Sequence, residues 1–152
     1  MSKIKTLSAL KKIVGSLKKK NKQIVFTNGC FDLIHPGHIK ILKDSKSKGD
    51  VLIVGLNSDS SIRRIKGPSR PIMDEKARGK VLEAIELVDY IIIFNEDTPY
   101  RIIKELKPDC LVKGEDWKAS DIIGREFAKK IFRIKFYPGY STTGIIQKIK
   151  NG

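Results

Sequence analysis

Apolar residues along this chain follow two rhythms, and the rhythms alternate. From Thr6 to Lys19, residues Leu7, Leu10, Ile13, Val14 and Leu17 recur at helical spacing, which predicts an amphipathic helix with one buried stripe. Gln23-Ile24-Val25-Phe26-Thr27 then forms a β-branched and aromatic run, the pattern of a buried strand. His38 to Lys48 returns to helical spacing and closes on Gly49, and Val51 to Leu56 is a second continuous apolar run. Asp74 to Leu87 reads as a helix capped by Asp74, followed by a strand over Asp89–Phe94. Thr98 to Leu106 is a helix with Pro99 in its first turn, and Cys110 to Val112 a fourth strand. A weaker helix over Ile122–Lys130, a strand over Ile131–Tyr137 and a helix over Ser141–Lys150 complete the pattern.

Strands that are unbroken apolar runs, separated by helices, define a parallel sheet covered on both faces. The expectation is an α/β fold: one doubly wound, Rossmann-like domain over residues 1–152 with five parallel strands. Residues 1–22 form an extra helical segment packed on it. In such sheets ligands bind beyond the carboxyl ends of the strands. The informative loops are therefore Thr27 to Gly37, Asn57 to Met73, Asn95 to Thr98, Lys113 to Ser120 and Pro138 to Thr143.

Composition narrows the classes. The chain has 152 residues, 40% hydrophobic and 32% charged, and no apolar run approaches the roughly 20 residues of a membrane-spanning helix. Without a secretory signal pattern at the N-terminus, the expected location is the cytoplasm. The net charge of +14 gathers in the lysines before Gln23 and in Arg125, Lys129, Lys130, Arg133 and Lys135. Aromatic residues do not interleave with these clusters as a base-stacking platform requires, so a solvated face is preferred to nucleic-acid binding or a membrane surface. The two cysteines lack metal-type spacing. Cys110 reads as a buried small hydrophobe. Cys30 is either a small residue beside a ligand or, less simply, a thiol nucleophile lacking a distant histidine to activate it.

Both histidines, His35 and His38, stand within four residues at a predicted helix start. A helix N-terminus offers unpaired N–H groups to an anion, Pro36 suits its first turn, and Gly37 would admit a phosphate close to the backbone. Two imidazoles three apart then aim two donors at one anion. A metal site lacks a third ligand nearby.

His35-Pro36-Gly37-His38 after a strand resembles the H-x-G-H signature of the cytidylyltransferase-like nucleotidyltransferase superfamily, and Ser141-Thr142-Thr143 resembles the S-T-T segment that accompanies it. Phe26 to Asp32, Val54 to Asp59, Arg64 to Pro71, Val88 to Tyr90, Phe94 to Pro99 and Leu111 to Gly114 resemble the D-glycero-β-D-manno-heptose 1-phosphate adenylyltransferases within it. The likeness runs from Gln23 to Ile149. Two departures stand out. Glu115 follows Gly114 where that family commonly has a second glycine and an aspartate. No arginine precedes Ser141, unlike the glycerol 3-phosphate cytidylyltransferases.

The resemblance implies transfer of AMP from ATP to heptose 1-phosphate, giving ADP-heptose and pyrophosphate for bacterial surface polysaccharide such as lipopolysaccharide. The alternative is a CTP-dependent enzyme acting on glycerol 3-phosphate or another alcohol phosphate. It further implies Mg²⁺ arriving with ATP, no protein metal site, a possible homodimer, and a heptose kinase on a separate chain. By resemblance, His35, His38 and Lys66 are catalytic. Cys30, Phe31, Gly37, Lys113, Gly114, Ser141, Thr142 and Thr143 join the histidines around ATP. Asn28, Asp32 and Lys66 face the sugar phosphate. Solvated lysine is the alternative for Lys66 and Lys113, but their loop placement favours a functional role; for Arg78 a helix-face ion pair serves equally well.

Overall fold

Five parallel strands form one sheet in the computed structural model, which describes residues 2–152. They are β1 (Ile24–Gly29), β2 (Val51–Asn57), β3 (Tyr90–Phe94), β4 (Cys110–Gly114) and β5 (Lys130–Ile134), in the order β3-β2-β1-β4-β5. The α-helices among these residues are α1 (Leu7–Lys19), α2 (Pro36–Lys46), α3 (Asp59–Lys66), α4 (Glu75–Glu83), α5 (Tyr100–Leu106) and α6 (Thr142–Asn151).

Strand side chains alternate between two cores, as the two-residue period requires. Ile24, Phe26, Val51 and Ile53 meet Leu10 and Val14 of α1 and Ile102, Ile103 and Leu106 of α5. Val25, Leu52, Val54 and Leu56 meet Leu42 of α2 and Leu82 of α4. The N-terminal segment is anchored to α5 and to β3, among other places. Lys11 Nζ reaches Glu105 at 2.7 Å, and Lys5 N donates to Ile91 O at 2.8 Å while Ile91 N donates to Lys3 O at 2.9 Å. That short pairing covers the outer edge of β3, which would otherwise present bare backbone groups.

Four elements differ clearly from the sequence expectation. Residues Asp59–Lys66, expected as loop, form α3, with Ser58 Oγ accepting from Ser61 N at 3.2 Å. Ser, Asp and Arg fill most of this stretch, and only Ile62 is a buried apolar anchor, so its periodicity is faint. The expected helix over Ile122–Lys130 is instead two short 3₁₀ turns, Ala119–Asp121 and Arg125–Phe127. Gly124 between them has φ +80°, and a Cβ there would lie 2.6 Å from Ile103. That backbone cannot continue a right-handed helix. Strand β5 also ends at Ile134, which releases Lys135 to Tyr140 as a loop beside the cleft. Helix α4 stops at Glu83, four residues before the expected end.

The sheet opens where its order reverses. Strands β1 and β4 share only the partners Val25↔Cys110 and Phe26↔Leu111. One residue later Thr27 Oγ1 takes over, donating to Val112 O at 3.0 Å. Beyond that bond the two strands lead into separate loops, and the crevice between them is where doubly wound sheets bind ligands.

Candidate active site

The crevice is a cleft of about 830 Å³, lined at its centre by Asn28, Gly29, Cys30, Phe31, Asp32, His35, Gly37 and His38. Its β4 side adds Lys113, Gly114, Asp116 and Trp117, with Phe136, Tyr137, Tyr140 and Ser141–Thr143 from the last loop and helix. Its β2 and β3 side adds Lys66, Arg70, Asp97 and Thr98. Every residue expected at the site on sequence grounds therefore lines one cavity. Five of the lining side chains are basic or imidazole: His35, His38, Lys66, Arg70 and Lys113.

The histidines are built into the helix start itself. His35 is the N-cap of α2, and its Nδ1 accepts from Gly37 N at 3.1 Å. His38 Nδ1 accepts from His35 N at 3.2 Å, completing a reciprocal cap in which both acceptors are imidazoles. This hydrogen-bond pattern assigns the proton of each neutral ring to Nε2. The rings lie 3.9 Å apart between centroids, with Phe31 packed 5.4 Å from His38 and Tyr140 6.4 Å from His35. Gly37 has a further reason to be glycine, since a Cβ would sit 2.8 Å from His35 Cε1. Any side chain there displaces the capping ring.

Burial pushes the His35 pKa down. Burial also brings His38 to about 4, with the neighbouring His35 adding to the shift and Asp32 opposing it. Between about 6.5 and 4 the unfolded chain therefore binds more protons at His38 than the folded chain. Its stabilising contribution is complete above the unfolded value and is lost as pH falls through 4. The melting temperature is expected to drop more steeply over this window in the wild type than in His38→Asn. Parallel pH profiles would exclude the histidine as the cause.

Asp32, to which the resemblance gives a sugar-facing role, lines the cleft, and its carboxylate also holds the neighbouring loop. It is 1% exposed, and its oxygens accept from Ile72 N at 2.7 Å and Met73 N at 3.0 Å. Its own carbonyl accepts from Thr142 Oγ1 at 2.7 Å. Phe31 and Leu33 on either side have φ of +48° and +51°, a left-handed conformation that costs about 1–3 kcal/mol each in non-glycine residues. Asp32 is thus the pin of a strained loop. At the start of α6, Ser141 Oγ caps by accepting from Gly144 N at 2.9 Å, and Thr142 is occupied by Asp32. Thr143 is exposed.

Two basic residues carry more than the sequence disclosed. Arg78 is fully buried. Its guanidinium donates to Met73 O at 2.9 Å, Cys30 O at 2.8 Å and Asn57 O at 2.7 Å, and pairs with Asp59 Oδ1 at 2.8 Å. It ties the loop after β1, the end of β2, the start of α3 and the entry to α4 together. Arg70 was missed altogether: its Nε is buried without a hydrogen-bond partner, 3.6 Å from Asp32 Oδ2. Position in the loop Asn57–Met73 was the available signal.

Lys113 sits at the carboxyl end of β4 with its ammonium 4.9 Å from the Trp117 ring centroid. Burial lowers its pKa to about 8, against the opposing pull of Asp116 and Cys30. Glu115, the departure noted in sequence, accepts from Phe136 N at 3.0 Å and so fastens the β4 loop to the aromatic segment after β5. Cys30 is pushed up by burial, which disfavours a thiolate.

The fold and cleft define a doubly wound α/β domain with a basic crevice, and the cytidylyltransferase-like family pattern matches residues 26–148. The chain belongs to that family. It is 52% identical over 147 residues to the bifunctional protein HldE of Sulfurimonas denitrificans, covering 97% of this chain and 31% of that protein. Against HldE of Helicobacter pylori it is 52% identical over 141 residues, 93% of this chain and 30% of that one. The chain thus spans under a third of the length of these curated relatives. Among solved structures, the lipopolysaccharide core biosynthesis protein of Thermoplasma volcanium superposes with a TM-score of 0.65 at 35% identity, over 76% of this chain and 98% of that one. Pantoate–β-alanine ligase of Francisella tularensis, at 18% identity and the same TM-score over 99% of this chain and 77% of that one, shares the fold. Among the described residues no helix is long and apolar enough to cross a membrane.

Proposed function

We propose that the chain transfers the adenylyl group of ATP to the phosphate of D-glycero-D-manno-heptose 1-phosphate, forming ADP-heptose and releasing pyrophosphate. The observation that carries the reading is the imidazole cap at the start of α2. Two Nε2–H donors and a helix N-terminus meet in a cleft with Lys66 and Arg70 on one side and Lys113 on the other. A site of that charge is made for phosphate chemistry. The HldE relatives and the lack of an arginine before Ser141 favour ATP and heptose phosphate over CTP and glycerol phosphate.

The attacking phosphate oxygen adds to the α-phosphorus of ATP as the bond to pyrophosphate breaks. A phosphate monoester with a second pKa near ~6 is already anionic at neutral pH, so no general base is required. The work left to the protein is to align two anions and disperse the charge that accumulates. His35 and His38 donate to the phosphate oxygens, while α6 and its Ser141 cap hold the triphosphate. Lys66 and Arg70 draw in the acceptor phosphate, and Lys113, Gly114 and Trp117 lie along the nucleoside. Mg²⁺ arriving with the triphosphate would need no protein cage and would supply further charge neutralisation there.

Pyrophosphate release should be measured with ATP and with CTP over a panel of sugar 1-phosphates and glycerol 3-phosphate. ATP with heptose 1-phosphate is expected to give the highest kcat/KM. Turnover only with CTP and a simple alcohol phosphate would replace this reading with the alternative one.

A further inference from the structure

Asp32 lines the cleft, but both of its carboxylate oxygens already accept backbone bonds from Ile72 and Met73. The cleft has two other carboxylates, Asp97 and Asp116. Asp116 stands on the β4 side, its Oδ1 close over Gly114. Asp97 stands at the far end, beyond the carboxyl end of β3, and nothing so far gives it a part.

The segment that bears Asp97 is fixed with unusual thoroughness for an exposed loop. Three successive carbonyls are tied to α3 or its cap: Phe94 O accepts from Ser58 N at 2.9 Å, Asn95 O accepts from Arg64, and Glu96 O accepts from Ser61 Oγ at 2.8 Å. Asp97 Oδ1 then accepts from Arg64 Nε at 2.8 Å. Its Oδ2 has no hydrogen bond among the described residues. A carboxylate anchored through one oxygen presents the other in a set direction. Exposed ion pairs of this kind add little to stability, so the order it creates matters more than its energy.

Charge decides which part of a ligand Asp97 can face. A carboxylate beside a phosphate is repelled, whereas sugar hydroxyls donate readily to it. Lys66 and Arg70, on the β2 side of the cleft, take the phosphate. From the β1 loop to the β3 loop is two strand spacings, about 10 Å, which is room for a sugar ring and its side chain beyond a phosphate held at the β1 loop. We infer that Asp97, oriented by Arg64 and flanked by Thr98, reads the hydroxyl groups of the acceptor sugar and so sets acceptor specificity. The inference rests on the adenylyl-transfer reading above and identifies which end of the cleft recognises the sugar.

The test is steady-state kinetics on Asp97→Ala, Asp97→Asn and Arg64→Gln, with heptose 1-phosphate and mannose 1-phosphate as acceptors and melting curves for each variant. Loss of hydrogen bonds to a charged group predicts a rise of roughly 10- to 100-fold in KM for heptose 1-phosphate in Asp97→Ala, with KM for ATP unchanged within about twofold. Asp97→Asn, which keeps an acceptor oxygen, should fall between. Arg64→Gln leaves the carboxylate but frees its direction, so it should raise the same KM by a smaller factor. The preference for heptose over mannose should shrink in all three. A heptose KM that stays at the wild-type value, or an ATP KM that rises in parallel, overturns the inference while leaving the reaction intact. A wild-type protein inactive with every sugar 1-phosphate overturns the reaction and the inference together.

Discussion

Alanine at His38 is expected to lower kcat by about 10²- to 10³-fold, the usual consequence of removing one donor aimed at developing charge. The same holds for His35. Alanine alone does not separate the two roles of each ring, because Nδ1 caps the helix while Nε2 points outward. Asparagine and glutamine do separate them. An asparagine side chain places a polar atom near the Nδ1 position and nothing at Nε2, so His38→Asn should fold like the wild type and turn over slowly. A glutamine amide reaches the Nε2 position and should recover part of the rate. If His38→Asn turned over normally, the imidazole would be a cap and nothing more. ATP binding should change much less than turnover, since a donor that acts on the transition state leaves ground-state affinity largely intact.

Replacing Arg78 by methionine is expected to destabilise the fold by about 3–5 kcal/mol, the typical cost of breaking a buried charged network from one side. For a chain of this size that is roughly 10 °C in melting temperature. The cost arises because Cys30 O, Asn57 O, Met73 O and the Asp59 carboxylate lose their donor at once, and buried acceptors without partners are expensive. Lysine should not rescue it, since one ammonium cannot reach four acceptors spread around a planar fork. Thermal and urea unfolding followed by circular dichroism would measure the loss. A shift under about 2 °C would show that the four acceptors find other donors.

Much of the fold was legible because parallel strands covered on both faces must be apolar throughout, as Val51 to Leu56 are. The interrupted stretch around Gly124 was not, since its apolar spacing imitates a helix and the conflict comes from Ile103, distant in sequence. Helix α3 was hidden by its composition. Of the site, the histidines could be read from their company: a strand before, Pro36 and Gly37 between, a helix after. The fates of Asp32 and Arg78 could not be read. A buried carboxylate that pins a loop and one that binds sugar use the same residue type. The bonds from Ile72 N and Met73 N to Asp32 come from residues distant in sequence and leave no local mark. Arg70 carried no signal beyond its place in the loop Asn57–Met73, and its buried Nε, without a hydrogen bond and 3.6 Å from Asp32 Oδ2, became visible only in the fold.

Asp32 touches both walls of the cleft, one through its carboxylate and the other through its carbonyl. The loop that bears Arg70 and the first turn of α6 are therefore joined across a single residue whose neighbours have no conformational slack. Pulling one wall outward loads the other. On the adenylyl-transfer proposal, the separation of these two walls, set through Asp32, is what fixes how far apart the two phosphates are held.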